Sequence, residues 1–237
     1  MDFNEKLQQN AEKINISIKE DKVIKFKKYM DLLLEWNKKI NLTSITDEDD
    51  IILKHFIDSL TIEKYVDPKQ SVIDIGTGAG FPGIPLKIMN DNVEVTLMDS
   101  LNKRINFLNE VIKKLDLKNI TTIHSRAEDL AKDNNYRERY DVAVSRAVAN
   151  LSTLSEYMLP FVKVGGKCIC MKGSNIDDER KIAEKAINML GGKIVNIENF
   201  KLANTDNERN IIIIEKIRKT DSKYPRKAGI PSKEPLK

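Results

Sequence analysis

The spacing of apolar residues along the chain changes near residue 67. Before that point they recur at three- and four-residue steps between lysines, most clearly in residues 20–40, which is the period of an amphipathic helix. A second helical pattern covers residues 46–60, where Thr46 is a candidate N-cap and the acids that follow suit a first turn. We therefore predict a helical N-terminal segment over residues 1–66, packed on the rest of the protein.

After residue 67, short apolar runs alternate with helical patterns. The predicted strands are residues 71–75, 93–98, 120–124, 141–145 and 167–171, and the predicted helices are residues 82–89, 102–115, 151–161 and 177–190. Strands separated by helices need crossover connections, so this part predicts a parallel sheet with helices on both faces. Two further strands, 194–199 and 209–216, are only nine residues apart and should pair antiparallel at the edge. The fold class is thus α/β, a doubly wound, mostly parallel Rossmann-like sheet over residues 67–217.

The first predicted strand leads into a glycine-rich loop, VIDIGTGAGFPG, residues 72–83. The loop fits D-x-G-x-G-x-G, with Asp74 ahead of Gly76 and Gly78, and also the dinucleotide fingerprint G-x-G-x-x-G read from Gly78. Both templates have an acid at the end of the second strand, here Asp99, whose carboxylate accepts the ribose hydroxyls of an adenosine. The loop and this acid indicate an adenosine ligand without choosing between the two templates.

Two features favour a methyl donor over a dinucleotide. The dinucleotide register places Pro85 in the second helical turn, at a cost of about 3 kcal/mol, whereas a helix that starts near Pro82 keeps both prolines in its first turn. Asp74 would repel a pyrophosphate by ~4 kcal/mol at ~4 Å and an effective dielectric of about 20, but would attract an ammonium and a sulfonium. We therefore predict S-adenosylmethionine as the cofactor, bound by Asp74, Gly76, Gly78 and Asp99.

Cations follow the third, fourth and fifth predicted strands: Arg126, Arg146 and Lys172. Because the carboxyl ends of parallel strands share one edge, these cations predict an anion-attracting rim beside the donor pocket, suited to nucleic-acid phosphates. Arg146 is the first candidate for function, since it lies where a methyl acceptor would lie. Glu128 or Asp129 can bond an adenine edge, although acids are equally natural at a helix start and either could pair with Arg126.

Composition adds a basic C-terminus and limits the remaining chemistry. The net charge is +4, but residues 216–237 carry eight Lys and Arg against two Asp and Glu, so we predict a nucleic-acid-binding tail over residues 218–237, with a solvated, frayed terminus as the alternative. No apolar run reaches the ~18–20 residues of a membrane span, and no secretory signal is recognisable, which predicts a cytoplasmic protein. The two cysteines, Cys168 and Cys170, argue against a metal site or a disulfide framework.

The residues that are missing narrow the acceptor. Methylation of a pyrimidine carbon needs a cysteine on a loop, whereas both cysteines lie within a predicted strand. Amino-group methylases typically carry an Asp/Asn-Pro-Pro-aromatic turn after the fourth strand, where this chain has Ser145-Arg-Ala-Val. Guanine N7 qualifies, since it has a free lone pair and needs no base, so that in-line alignment supplies most of the catalysis. We interpret His55, near Asp58, as a helix tie and His124 as a hydrogen-bonded strand-end residue.

Several stretches together resemble the bacterial RsmG (GidB) family: WNKKINLTSI, HFIDSL, DIGTGAGFPGIPLKI, DVAVSRAVANL, LPFVKVGGKCICMKG and YPRKAGIPSKEPLK. Members of this family methylate guanine N7 in 16S ribosomal RNA with S-adenosylmethionine. The resemblance covers nearly the whole chain from about Leu34 and implies the same activity here. It also implies that the chain acts as a monomer.

The resemblance carries over to particular residues. It implies a donor site formed by Gly76, Phe81, Ala127, Glu128 and Arg146, with Arg146 as the catalytic residue. It further implies that the rim and the tail meet small-subunit ribosomal RNA, free or within the 30S particle, through Arg126, Lys172, Arg226 and Lys227.

Three other functions fit parts of the pattern. A small-molecule methyltransferase predicts an apolar lid over the acceptor pocket instead of a cationic rim. A nicotinamide-dependent oxidoreductase is disfavoured by Pro85 and Asp74. A non-catalytic RNA-binding protein is hard to reconcile with an intact donor loop.

Overall fold

The computed structural model describes residues 1–146, 148–174, 176–203 and 205–237. Its seven strands are β1 Ser71–Ile75, β2 Glu94–Asp99, β3 Ile120–His124, β4 Tyr140–Arg146, β5 Val162–Lys172, β6 Gly192–Lys201 and β7 Glu208–Lys216. The α-helices are α1 Phe3–Glu12, α2 Glu20–Ile40, α3 Glu48–Ile51, α4 Asp58–Leu60, α5 Gly83–Met89, α6 Asn102–Lys114, α7 Ala127–Leu130, α8 Leu151–Met158, α9 Asp177–Met189 and α10 Ile230–Lys233. A π-helical stretch, Ile52–Ile57, joins α3 to α4, and 3₁₀ turns cover Glu63–Tyr65 and Leu159–Phe161.

The strands form one sheet in the order β3-β2-β1-β4-β5-β7-β6. Strands β1 to β5 are parallel, and β7 runs antiparallel to both β5 and β6. This confirms the predicted doubly wound α/β sheet and its antiparallel edge. The chain reverses its winding direction between β1 and β4, and ligands of open parallel sheets bind outside the carboxyl ends of the strands at such a switch point.

The N-terminal helices pack directly on the sheet's helical layer. Phe26 and Tyr29 of α2 contact Phe56, and Tyr29 also lies 5.4 Å from Phe81 of the glycine loop, centroid to centroid. The Tyr29 hydroxyl donates to the Ala79 carbonyl at 2.5 Å. Burial of these rings in one continuous hydrophobic cluster joins the N-terminal segment to the loop.

The start of α3 differs from the prediction by one residue. Thr46 is not the N-cap, since the Asp47 side chain accepts the Asp50 amide at 3.1 Å. An aspartate caps as well as or better than a threonine, and here it leaves three more acids for the first turn. The helix then widens into the π-helical stretch, a feature that recurs at functional sites, and this stretch carries His55.

The basic C-terminal segment is folded onto the domain. Tyr224 is buried, and the Arg226 guanidinium forms three hydrogen bonds with Glu156, whose side chain is fully buried. The Thr153 hydroxyl donates to the Pro231 carbonyl at 2.8 Å. The frayed terminus considered from the sequence is therefore wrong: this segment is an integral layer of the structure.

Cys168 and Cys170 are both buried in the second hydrophobic cluster, and burial raises the pKa of the Cys170 thiol to about 12. A thiol with such a pKa stays protonated and is a poor nucleophile.

Among the described helices, none is long and apolar enough to cross a membrane.

Candidate active site

The glycine loop turns back over the end of β2. The amides of Gly76 and Thr77 both donate to the Met98 carbonyl, at 2.9 and 3.0 Å. Gly76 has a φ of +67°, and a Cβ there would lie 2.8 Å from a methyl carbon of Val148. Only glycine fits this position, because the backbone conformation and the space above it both exclude a side chain.

Asp74 holds the loop from below. Its Oδ2 accepts the Thr77 hydroxyl at 2.7 Å and the Gly83 amide at 2.8 Å, the latter at the first residue of α5. The carboxyl group is fully buried, and this burial raises the pKa of Asp74 to about 6, opposed by those two hydrogen bonds. Its Oδ1 is buried without a partner among the described residues. Asp74 lines neither of the two cavities described below, so its role as a ligand of the ammonium group stays a prediction.

Asp99 lies at the end of β2 and faces the loop. Its Oδ2 accepts the Gly78 amide at 2.9 Å, its Oδ1 accepts the Leu101 amide at 2.9 Å, and Arg104 lies 3.2 Å from Oδ2. Arg104 Nη1 also lies 3.4 Å from Oδ1, so Gly78, Leu101 and Arg104 together use the acceptor sites of the carboxylate, and ribose hydroxyls would take the place of the partly exposed Arg104. Arg104, which the sequence reasoning did not single out, adds a cation beside this acid.

Two cavities meet at Asp99. One of about 420 Å³ lies between the glycine loop and the N-terminal helices, and one of about 300 Å³ lies between the ends of β1, β2 and β3. Both are lined by Gly76, Asp99, Ser100 and Val148. Volumes of this size are typical of small-molecule sites, and a carboxylate at the junction suits the ribose of an adenosine that extends into both. The residues therefore fit S-adenosylmethionine.

The smaller cavity matches the predicted adenine side. Ala127 and Glu128 line it at the start of α7, and both are buried. The Glu128 carboxylate accepts the amide of Gly229 at 2.9 Å, so the C-terminal segment closes this cavity together with Tyr157 of α8. Gly229 lies in the stretch YPRKAGIPSKEPLK that carries the resemblance, but neither it nor Tyr157 was predicted as a site residue.

Arg146 lies in the larger cavity and is held by the N-terminal helical segment. Its Nη1 donates to Asp58 Oδ2 and to the Lys54 carbonyl, each at 3.1 Å. Its guanidinium carbon lies 4.9 Å from the centroid of the Phe81 ring, in cation–π contact. Asp58 is almost fully buried and also pairs with Arg209 of β7 at 2.9 Å. The predicted catalytic arginine is thus fixed in place by a buried carboxylate.

His55 also lines the larger cavity. Its ring stacks on Phe81 with centroids 4.4 Å apart and planes 15° from parallel. Nδ1 lies 3.2 Å from Arg146 Nη2, and Nε2 lies 2.9 Å from the Thr43 hydroxyl oxygen. Burial, reinforced by Arg146, lowers the pKa of His55 to about 3, so the ring is neutral. The sequence predicts that His55 ties its helix near Asp58, but in the structure Arg146 lies between these two residues. The contact of His55 with Arg146 could not be predicted, because the two residues are far apart in the sequence.

The other predicted RNA-binding cations, those of the rim and of the C-terminal tail, differ in their surroundings. Arg126 lines the smaller cavity and is exposed, and Lys227 is exposed in the C-terminal segment. Lys172 is instead paired with Glu179 at 2.7 Å, and Arg226 with Glu156 at 2.7 Å. Arg126 and Arg146 share one edge but are separated by three strand spacings, roughly 14 Å. The predicted rim and tail therefore form a distributed positive edge, in which Arg146, Lys172 and Arg226 are engaged in ion pairs.

The structure confirms that His124 is a hydrogen-bonded residue at a strand end. It is exposed at the end of β3, and its Nε2 lies 3.0 Å from the Ser100 carbonyl. It does not line either cavity.

Comparisons with known sequences point to one family. The family model described as "rRNA small subunit methyltransferase G" (GidB) matches residues 22–212. A protein of Desulforamulus reducens named ribosomal RNA small subunit methyltransferase G is 53% identical over 97% of both chains. A protein of the same name from Clostridium botulinum strain Loch Maree is 51% identical over the full length of both chains.

Solved structures share the fold at low identity. A putative RNA methyltransferase of Pyrococcus horikoshii, PH1948, superposes with a TM-score of 0.55 at 10% identity, over 81% of this chain and 100% of that chain. TYW2 of M. jannaschii, solved in complex with AdoMet, gives a TM-score of 0.54 at 19% identity, over 68% of this chain and 76% of that chain. The sheet and its helical layers therefore have the same fold as these two structures.

Proposed function

Since the chain belongs to the rRNA small subunit methyltransferase G family, we propose that it transfers a methyl group to N7 of a guanine in 16S ribosomal RNA. S-adenosylmethionine is the methyl donor. The observation that carries the proposal is the junction of two cavities at Asp99, one beside the adenine-side residues and one beside Arg146. A donor that spans the junction presents its reactive end to the cavity that Arg146 lines.

The donor side is formed by the loop, β2 and α7. Asp99 orients the ribose, Ala127 and Glu128 border the adenine, and Gly76 and Gly78 let the backbone approach the amino-acid end. When bound, S-adenosylmethionine supplies a methyl group on a positively charged sulfur. The protein's task is then to hold an acceptor nitrogen in line with that methyl group.

Among the residues that the structure describes, the acceptor side has no group suited to serve as a general base. His55 is neutral and both its nitrogens are engaged, so it neither takes a proton readily nor needs to for N7, which carries none. Phe81 and His55 are stacked on each other and border the larger cavity together with Arg146. Alignment accordingly supplies most of the rate, and attack of N7 on the methyl carbon needs no covalent enzyme intermediate.

Arg146 is proposed as the catalytic residue because part of its guanidinium remains available. Its Nη1 hydrogens go to Asp58 and Lys54, and one Nη2 hydrogen goes to His55. Nε–H and the second Nη2–H have no acceptor among the described residues. Held rigidly at the cavity wall, these two donors can bond the guanine or a flanking phosphate.

We assign RNA attraction mainly to Arg126 and Lys227, which are exposed beside the smaller cavity and in the C-terminal segment. Lys172 and Arg226 have carboxylate partners, so they contribute to RNA attraction only through the summed electrostatic potential of this edge of the sheet. We further propose that the enzyme acts as a monomer in the cytoplasm on RNA of the small subunit, free or in the 30S particle.

Transfer of labelled methyl from S-adenosylmethionine tests this function. The acceptors are small-subunit RNA and 30S particles from a strain that lacks the enzyme, with large-subunit RNA from the same strain as the control. We expect label in small-subunit RNA only, and weaker transfer as salt rises, because phosphate binding releases counterions. Label in neither small-subunit acceptor, with donor binding intact, would contradict the proposed substrate.

A further inference from the structure

Thr43 lines the larger cavity from the loop between α2 and α3. Its backbone is clamped by Asn37, whose side chain accepts the Thr43 amide at 2.9 Å and donates to the Thr43 carbonyl at 2.9 Å. The hydroxyl oxygen accepts the Ile45 amide at 3.0 Å. The same oxygen lies 2.9 Å from His55 Nε2. A side chain held in this way has little freedom to turn.

The direction of the His55–Thr43 hydrogen bond follows from Arg146. A guanidinium can only donate, so His55 Nδ1, 3.2 Å from Arg146 Nη2, must accept. The neutral ring then carries its hydrogen on Nε2, which donates to Thr43. A charged ring is disfavoured for the same reason, since its Nδ1–H would face the guanidinium.

The Thr43 oxygen therefore accepts two hydrogen bonds, and its own hydrogen must go elsewhere. No acceptor for that hydrogen is found in residues 1–146, 148–174, 176–203 and 205–237. Thr43 lines the larger cavity together with Phe81 and Arg146. The chain Asp58–Arg146–His55–Thr43 thus ends in a hydroxyl that is fixed as a donor toward the acceptor side, and linked hydrogen bonds of this kind polarise one another.

We propose that Thr43 is a specificity-determining residue that donates its hydroxyl hydrogen to O6 of the target guanine. This inference rests on the proposed function, because O6 is the acceptor next to the reacting N7. On this edge guanine presents two acceptors, N7 and O6, whereas adenine presents the acceptor N7 and the donor N6–H₂. A hydroxyl locked as a donor pairs with guanine and opposes adenine. The selection thus depends on Arg146 setting the tautomer of His55.

Two variants of Thr43 test the role of the hydroxyl. Thr43→Val removes it at nearly constant shape, and Thr43→Ser keeps it. We expect Thr43→Val to lower kcat/KM for small-subunit RNA by about tenfold or more, because it removes the contact to O6 and also the acceptor of the Ile45 amide and of His55 Nε2–H, and Thr43→Ser to stay within about threefold of the wild type. Calorimetry with S-adenosylmethionine should give the same Kd for all three proteins within about twofold. Unchanged transfer by Thr43→Val would overturn the proposal, and so would weaker donor binding, because the hydroxyl would then serve the donor's carboxylate.

Substitution of single atoms in the RNA tests the same contact with the wild-type enzyme, whether or not the valine variant folds well. Once the methylated nucleotide is mapped, small-subunit RNA is ligated around a synthetic segment with inosine or 2-aminopurine there. Inosine keeps N7 and O6, whereas 2-aminopurine keeps N7 and lacks O6. We expect the wild type to prefer inosine by about tenfold and Thr43→Val to show little preference, which gives a coupling between hydroxyl and O6. If the wild type and Thr43→Val prefer inosine over 2-aminopurine to the same degree, the contact between Thr43 and O6 is overturned. If RNA with guanine at this position accepts no methyl group, the proposed function itself has failed.

Discussion

Replacement of Arg146 by alanine separates a catalytic role from a structural one, because the chain supplies a matched control. Arg146 and Arg209 pair with the two oxygens of the same buried carboxylate, Asp58, at 3.1 and 2.9 Å. Their side chains are 16% and 23% exposed, so solvent screens the two pairs to a similar degree. Arg146 lines the larger cavity, whereas Arg209 does not.

The cost of either substitution can be worked from these contacts. Two unit charges about 3 Å apart attract by roughly 5 kcal/mol at an effective dielectric of about 20, and removal of one partner of a buried pair costs about 3–5 kcal/mol. Asp58 keeps a second arginine in each variant, so its charge is never left without a partner. We therefore expect Arg146→Ala and Arg209→Ala each to lower the free energy of unfolding by about 2–3 kcal/mol.

The two variants should differ in activity. Urea unfolding measures the stability of both proteins, and labelled-methyl transfer to small-subunit RNA measures kcat and KM. Arg146→Ala should lower kcat by about a hundredfold or more, because it removes the group that aligns the acceptor and frees His55 to change tautomer. Arg209→Ala should stay within about threefold of the wild type. If the two variants transfer methyl at similar rates, Arg146 is a structural residue and the catalytic assignment is wrong.

Four further substitutions test the donor site and the C-terminal segment. Asp99→Ala should weaken S-adenosylmethionine binding in calorimetry by about tenfold or more with little loss of fold, since the carboxylate orients the ribose; an unchanged Kd would remove Asp99 from the site. The folded pKa of Asp74, about 6, lies above its ordinary value of 3.8, so the folded state binds this proton more tightly and loses stability as pH rises from about 4 to 6. Asp74→Asn should therefore be about 2 kcal/mol more stable than the wild type at pH 7.5, with the difference gone near pH 4; a difference independent of pH would contradict the raised pKa. Arg226→Ala should cost about 3 kcal/mol in urea unfolding, because it leaves the Glu156 carboxylate buried without its partner. Its exposed neighbour gives the control. Lys227→Ala should leave the free energy of unfolding unchanged but lower, by about one, the slope of log K for RNA binding against log salt concentration. Loss of stability in Lys227→Ala together with a changed salt slope in Arg226→Ala would refute the roles assigned to the two residues.

The sheet could be read from the sequence because its strands obey local rules. The bounds predicted for β1 and β3 agree with the structure, and α5 begins at Gly83, as the placement of Pro82 and Pro85 in an opening turn required. The start predicted for β5, residue 167, was less accurate. The strand begins at Val162, because strand pairing extends through exposed positions that show no apolar run.

The lining of the candidate site was predictable where one motif supplies it and not where distant segments meet. The glycine loop and Asp99 carry their own signal, and the structure places them at the junction of the two cavities. The links from His55 to Arg146 and from Gly229 to Glu128 join residues 91 and 101 positions apart. No local period encodes such contacts. For the same reason the carboxylate partners of Lys172 and Arg226 could not be foreseen from charge alone.

The most direct measurement is chemical mapping of the methyl group in RNA treated with the wild-type enzyme. Borohydride reduction followed by aniline cleaves RNA at 7-methylguanosine, and primer extension locates the break. The account predicts cleavage at a guanosine of small-subunit RNA that depends on added enzyme and S-adenosylmethionine and is lost with Arg146→Ala. Labelled small-subunit RNA that resists this cleavage would place the methyl group on another atom and contradict the account.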